Sequence, residues 1–129
     1  MMGKEKKFKN FSDALERLRE AVESAETELE IDGAIQRFEF TFEQAWKALK
    51  AFLEDEGIEC RSPKGCLKEA YAAGLIENEK LWLQMLSDRN TSSHLYSFET
   101  SREIFERVKR FYLGAFERLF QTLADRVGD

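Results

Sequence analysis

The stretch Ile35-Gln36-Arg37-Phe38-Glu39-Phe40-Thr41-Phe42-Glu43-Gln44-Ala45-Trp46-Lys47-Ala48-Leu49 reads in two ways, and the choice decides the fold. Phe38-Glu39-Phe40-Thr41-Phe42 alternates apolar and polar as a half-buried strand does. The alternation lasts only five residues. Ile35, Phe38, Phe42, Ala45, Leu49 and Phe52 recur at three- and four-residue intervals, the period of one helix face, and Trp46 and Leu53 widen that stripe. The longer period predicts a helix from Asp32, a good N-cap, to about Glu56, with Gly57 just past its end. Phe40 is the exception. Two residues from Phe38 is about 200° of rotation, which puts Phe40 on the opposite side. Such a helix is either covered on a second side by a partner or a second subunit, or leaves one Phe exposed.

Upstream, Phe11, Leu15, Leu18, Val22 and Ala25 repeat at 4-3-4-3 spacing and predict a first helix from about Phe8 to Glu28, with Ser12 an alternative start. Glu26, Glu28 and Glu30 then read as a solvated acidic end. Downstream, Ser62-Pro63 is an N-cap followed by Pro at the first helical position. It opens a short helix carrying Cys66, Leu67, Ala70 and Tyr71 and stopping at Gly74. Asn78 can cap a fourth helix with Leu81, Trp82, Met85 and Leu86 on its apolar face. A last helix is expected from about Thr100 to Arg126, with Ile104, Phe105, Val108, Phe111, Tyr112, Ala115, Phe116, Leu119 and Leu123 inside. The expected fold is all-α: an antiparallel four-helix up-and-down bundle with one additional short helix, as a single domain over residues 1–129.

Composition agrees with that reading. The chain of 129 residues is 43% hydrophobic and 35% charged, with one Pro and 7 Gly, poor in helix breakers. No apolar run approaches a membrane span. The basic N-terminus has no apolar core of a secretory signal, so a cytoplasmic location is the expectation. A net charge of −5 argues against a broad counterion-releasing surface for nucleic acid, so any RNA contact must be local. Cys60 and Cys66 have neither CxxC nor zinc-knuckle spacing, and the one histidine cannot complete a Cys2His2 site. No metal site is read, and the two cysteines read as reduced thiols.

That single histidine lies in Ser87-Asp88-Arg89-Asn90-Thr91-Ser92-Ser93-His94-Leu95-Tyr96. Arg forks onto phosphate oxygens, and His exchanges protons near neutrality. Five residues is about 500° of rotation, so Arg89 and His94 stand roughly 140° apart on one helix and do not stack. On spacing alone such a pair is usually a surface charge and a helix C-terminal cap. Glu39 and Glu43, about one turn apart, can orient His94 or meet Arg37, although helix-surface carboxylates commonly do nothing specific. Trp46 and Trp82 read as core or interface rather than as platforms for stacking bases.

Taken together, Ile35 through Lys47, Ser62-Pro63, Ala73-Gly74-Leu75-Ile76 and the run from Trp82 to His94 resemble, in the same order, the nucleotidyltransferase substrate-binding proteins of the HEPN superfamily. The resemblance covers about Phe11 to Phe120, and the second-helix signature is its specific part. It implies a helical bundle that pairs with itself as a homodimer and associates with a minimal nucleotidyltransferase. Some members are toxins of toxin–antitoxin pairs, metal-independent RNA endonucleases whose Arg-x4-6-His site is assembled from two subunits. In these the partner transferase adds AMP to the tyrosine of Arg-x4-His-x-Tyr. Carried over by position, the resemblance implies Arg89 and His94 as catalytic residues, Asn90 as the polar residue after the Arg, and Tyr96 as the modified one. It implies no cofactor and no metal. Other members are described only as substrate-binding subunits, so a non-catalytic binding role stays open, and Tyr96 then simply packs at a helix junction.

Overall fold

The computed structural model describes residues 3–92 and 97–127. Among them the secondary structure is entirely helical: α1 (Gly3–Ser24), α2 (Glu28–Asp55), α3 (Pro63–Ala72), α4 (Glu79–Ser92), α5 (Phe98–Arg107), and α6 (Leu113–Val127). A π-helical turn, Val108–Tyr112, joins α5 to α6, making one continuous rod. The stretch from Phe38 to Phe42 is helical, so the three-and-four period outweighs the five-residue alternation.

α1 begins at Gly3, earlier than the expected Phe8, and its end and the start of α2 also differ from the sequence reading, these two for one reason. Thr27, not Asp32, caps α2: the Glu30 amide donates to the Thr27 hydroxyl at 3.1 Å, and the Glu30 carboxylate accepts from the Thr27 amide at 3.0 Å. This reciprocal box satisfies two orphan donors, worth about 1 kcal/mol, where Asp32 would satisfy one. Glu28 and Glu30 therefore open α2 rather than close α1, and their charge suits its N-terminus. The Glu30 carboxyl is held below the usual range by its hydrogen bonds to the Thr27 and Glu26 amides. The starts of α3 and α4 fall as read. Ser62 accepts from the Gly65 amide at 3.0 Å, and Asn78 accepts from the Leu81 amide at 3.1 Å. After α2 and α3 the chain turns at Gly57 (φ 82°) and Gly74 (φ 78°), a left-handed backbone that a side chain would strain. The amides that follow, Ile58 and Leu75, return to the Leu53 and Ala70 carbonyls in Schellman closures.

The helices run up-down-up-down. Phe8 stacks on Phe120 and Phe11 meets Phe116 edge-on, so α1 runs antiparallel to α6. Phe38 stacks on Tyr112 at 5.5 Å between ring centroids, and Trp82 meets Phe116 edge-on, also at 5.5 Å. Phe11, Phe38, Phe42, Leu49, Met85, Tyr112 and Phe116 are fully buried at the centre. Thr41, also buried, donates to its own helix at Arg37 and reaches the Ala14 carbonyl of α1 at 3.2 Å. No helix among the described residues is long and apolar enough to cross a membrane.

Two further expectations are corrected. Phe111, expected inside, is 51% exposed, because the π turn inserts a residue and rotates Phe111 off the core stripe. Cys60 and Cys66 are joined as a disulfide, their Cα atoms 5.1 Å apart, rather than standing as reduced thiols. The Ser62-Pro63 start bends the chain so that Cys66, early in α3, lies back against the loop that carries Cys60.

Candidate functional site

The seam between α2 and α4 gathers four of the residues singled out in the sequence. Glu39 and Glu43 are one turn apart on α2, and α4 passes them antiparallel, bringing Arg89 opposite Glu43 and Ser92 opposite Glu39. The Arg89 Nη2 donates to Glu43 Oε2 in a charge-assisted bond between two part-buried side chains. The other Glu43 oxygen, Oε1, lies 3.6 Å from Lys47 Nζ. Arg89 Nη1 also donates to Asn90 Oδ1 at 3.3 Å, and the Ser92 hydroxyl donates to the Arg89 carbonyl at 3.0 Å. Burial pushes the Glu39 carboxyl above its ordinary value, opposed by the Ser92 hydroxyl and the Arg89 charge.

Arg37 does not join the group. Two residues before Glu39, it lies about 200° round the helix and is exposed, and the cations that Glu43 meets are Arg89 and Lys47. Phe40, adjacent to Glu39, is 53% exposed. His94 and Tyr96 lie outside the described residues, within 93–96 directly after α4. Trp46 follows Glu43 on the same stripe and packs against the core, with its indole N–H buried and without a partner among the described residues. Trp82 is buried in the core.

Behind Arg89 is a polar cluster that the sequence reading missed. Asp88 is 8% exposed, and its carboxylate takes both arms of Arg107, from Nε at 2.7 Å to Oδ2 and from Nη2 at 2.9 Å to Oδ1. The hydroxyl of fully buried Tyr112 also donates to Asp88 Oδ2. Arg107 and Tyr112 are five residues apart and would diverge by about 140° on an α-helix. The π turn brings them to the same side: the Leu113 amide bonds to the Val108 carbonyl five residues back. The Asp88 carboxylate holds the Arg107 charge in place, and burial followed by the bond to Asp88 keeps the Tyr112 phenol protonated well above its ordinary range. One signal pointed here. Trp82, Met85, Asp88 and Ser92 are spaced three or four apart and are the buried face of α4, so a carboxylate stood on an apolar stripe and needed a cation.

Among the described residues no group of three or more His, Cys, Asp or Glu side chains is placed to hold a metal. A cavity of about 340 Å³ lies at the other end of α4, lined by Ile76, Trp82, Arg118 and Leu119 among others, away from Arg89.

Comparison with known proteins matches the chain to a family. Residues 6–125 fit the family described as nucleotidyltransferase substrate binding protein like. A probable ribonuclease HepT of Haemophilus influenzae is 32% identical over 88 residues, 64% of this chain and 60% of that protein. The aligned part is thus well short of that relative's full length. A crystal structure of a Thermus thermophilus protein superposes with a TM-score of 0.75 at 39% identity, covering 90% of this chain and 97% of the other. A Haemophilus influenzae structure, described as revealing the fold of a substrate binding domain of a nucleotidyltransferase, superposes at 0.69 with 24% identity. It covers 94% of this chain and 96% of its own.

Proposed function

The chain belongs to the nucleotidyltransferase substrate-binding family of the HEPN superfamily, and from that premise we propose that it is a metal-independent RNA endonuclease, the toxin of a toxin–antitoxin pair. The observation that carries this reading is the holding of Arg89 at the α2–α4 seam, one residue before Asn90 and five before His94. The similarity to the probable HepT ribonuclease supports it.

The chemistry follows from the side chains. Neutral His94 takes the proton of a ribose 2′-hydroxyl, and the freed oxygen attacks the adjacent phosphorus. As the bond from phosphorus to the 5′-oxygen breaks, that oxygen takes a proton from an imidazolium. The products are a 2′,3′-cyclic phosphate and a 5′-hydroxyl. The phosphorane carries extra negative charge, which the Arg89 guanidinium stabilises. One chain has one histidine, so a His base and a His acid together require two chains. A twofold homodimer supplies the second His94 and second Arg89 at its axis. The exposed Phe40, beside Glu39, offers an apolar contact for that pairing.

A second reading has its own support. Glu39 and Glu43 flank Arg89, and with Lys47 the cluster has no excess of positive charge to draw in a polyanion. That arrangement also suits a non-catalytic subunit that presents a substrate to a minimal nucleotidyltransferase. One experiment separates the two: RNA incubated with the purified protein in EDTA, beside a His94→Ala protein. The endonuclease reading expects cleavage by the wild type with a cyclic phosphate end and none by His94→Ala. Absence of wild-type cleavage, dependence on added metal, or full activity in His94→Ala overturns it.

A further inference from the structure

We propose that Asp88 is a positioning residue: clamped by Arg107 and Tyr112 across the π turn, it fixes the rotation of the last turn of α4 and so the direction in which Arg89 is presented. Its catalytic consequence rests on the endonuclease reading; its structural consequence does not.

The argument begins with what α4 lacks. Its final turn carries few apolar anchors: after Met85 its buried residues are Asp88 and Ser92. Packing alone therefore resists little rotation of this turn about its axis. The Asp88 carboxylate replaces that packing with three directed hydrogen bonds from two residues. A fork of two parallel bonds to a guanidinium has a fixed plane and distance, so it resists twisting as well as separation. The donors are themselves fixed. Tyr112 is fully buried and stacked on Phe38 of α2, and Arg107 stands one residue before the π turn.

Arg89 is the next residue, about 100° further round α4. Its main chain is set by Asp88 on the core side, while its side chain is drawn to Glu43 on α2. The two anchors act from different directions on consecutive residues, so releasing one lets the turn rotate about the other. The π turn fits this role. It gives up regular i→i+4 bonding in the middle of the long rod, and the arrangement it gains is Arg107 and Tyr112 on one carboxylate. Residues 93–96 follow this same turn in the chain, so the anchor lies immediately upstream of His94.

The test uses Asp88→Asn, which keeps the size and an acceptor for Tyr112 but loses the ionic fork, and Tyr112→Phe, which removes one hydroxyl. Each is compared with wild type at 25 °C, where circular dichroism checks the fold. The first readout is the Arg89 side-chain Nε–H resonance in ¹⁵N-labelled protein, assigned by its loss in Arg89→Lys. Positioning expects that resonance to shift or broaden in both folded variants. The second readout is RNA cleavage, expected to fall about tenfold or more in kcat with KM little changed, as for a misplaced rather than a missing group. An unshifted Arg89 resonance in folded Tyr112→Phe and Asp88→Asn overturns the proposal, as does unchanged kcat in proteins that cleave RNA. If Asp88→Asn does not fold, Tyr112→Phe decides alone. If the wild type cleaves no RNA, the endonuclease reading fails and the resonance still decides the positioning role.

Discussion

Glu43 of α2 accepts a hydrogen bond from the guanidinium of Arg89 at the end of α4, across 46 residues of sequence. Both side chains are about a quarter exposed, so water screens the pair and its contribution to stability is small. Its consequence is orientation: it pins one edge of the guanidinium, while Nη1 donates to Asn90. Glu43→Gln is therefore expected to cost less than about 1 kcal/mol in urea denaturation. A loss of several kcal/mol would show that the pair is a stability element instead.

Phe40 is a large apolar residue on the far side of the α2 stripe, and at 53% exposure it contributes little to the fold of one chain. If it lies in a twofold interface, Phe40→Glu is expected to leave the helix content unchanged and halve the mass seen by light scattering at micromolar concentration. A wild-type protein that is already monomeric there contradicts the dimer.

The Tyr112 phenol gives a pH signature. Its folded value is raised above the ordinary 10.0, so the folded chain holds this proton where the unfolded chain releases it. The stabilisation is complete below about pH 10 and falls as pH rises beyond it. Thermal unfolding between pH 8 and 11 is expected to show a decline that is smaller in Tyr112→Phe. Parallel declines in the two proteins would mean that other groups govern the alkaline limit.

Tyr96 follows His94 by two residues. We expect a partner nucleotidyltransferase, supplied with ATP and Mg²⁺, to add AMP there. The Tyr96 oxygen bonds to the α-phosphorus and pyrophosphate leaves. A bulky anion beside the site repels RNA phosphates and competes for Arg89. Intact-mass spectrometry should find one AMP per chain and none in Tyr96→Phe, together with suppressed cleavage. An adduct in Tyr96→Phe, or full cleavage by modified protein, rejects this regulation.

The helices were legible in the sequence because each signal is local. The stripe from Ile35 to Phe52 outlasts the alternation of Phe38 to Phe42, and Ser62-Pro63, Gly57 and Gly74 mark boundaries through their own backbone preferences. Arg89 and Asn90 were legible as candidates because they belong to one short motif. Even the missed start of α2 was written there, in Thr27 and Glu30. What only the tertiary structure decided is which side chains meet. That depends on how far each helix slides along its neighbour and how it is rotated about its axis, and periodicity within one helix sets neither. So Glu43 pairs with Arg89 on another helix, a contact that no spacing within α2 could have shown. The π turn is the clearest case: nothing local favours it, since Val108 to Tyr112 would continue a regular helix at less cost. It is stabilised by a carboxylate on α4, which draws Arg107 and Tyr112 to one side and leaves Phe111 facing water.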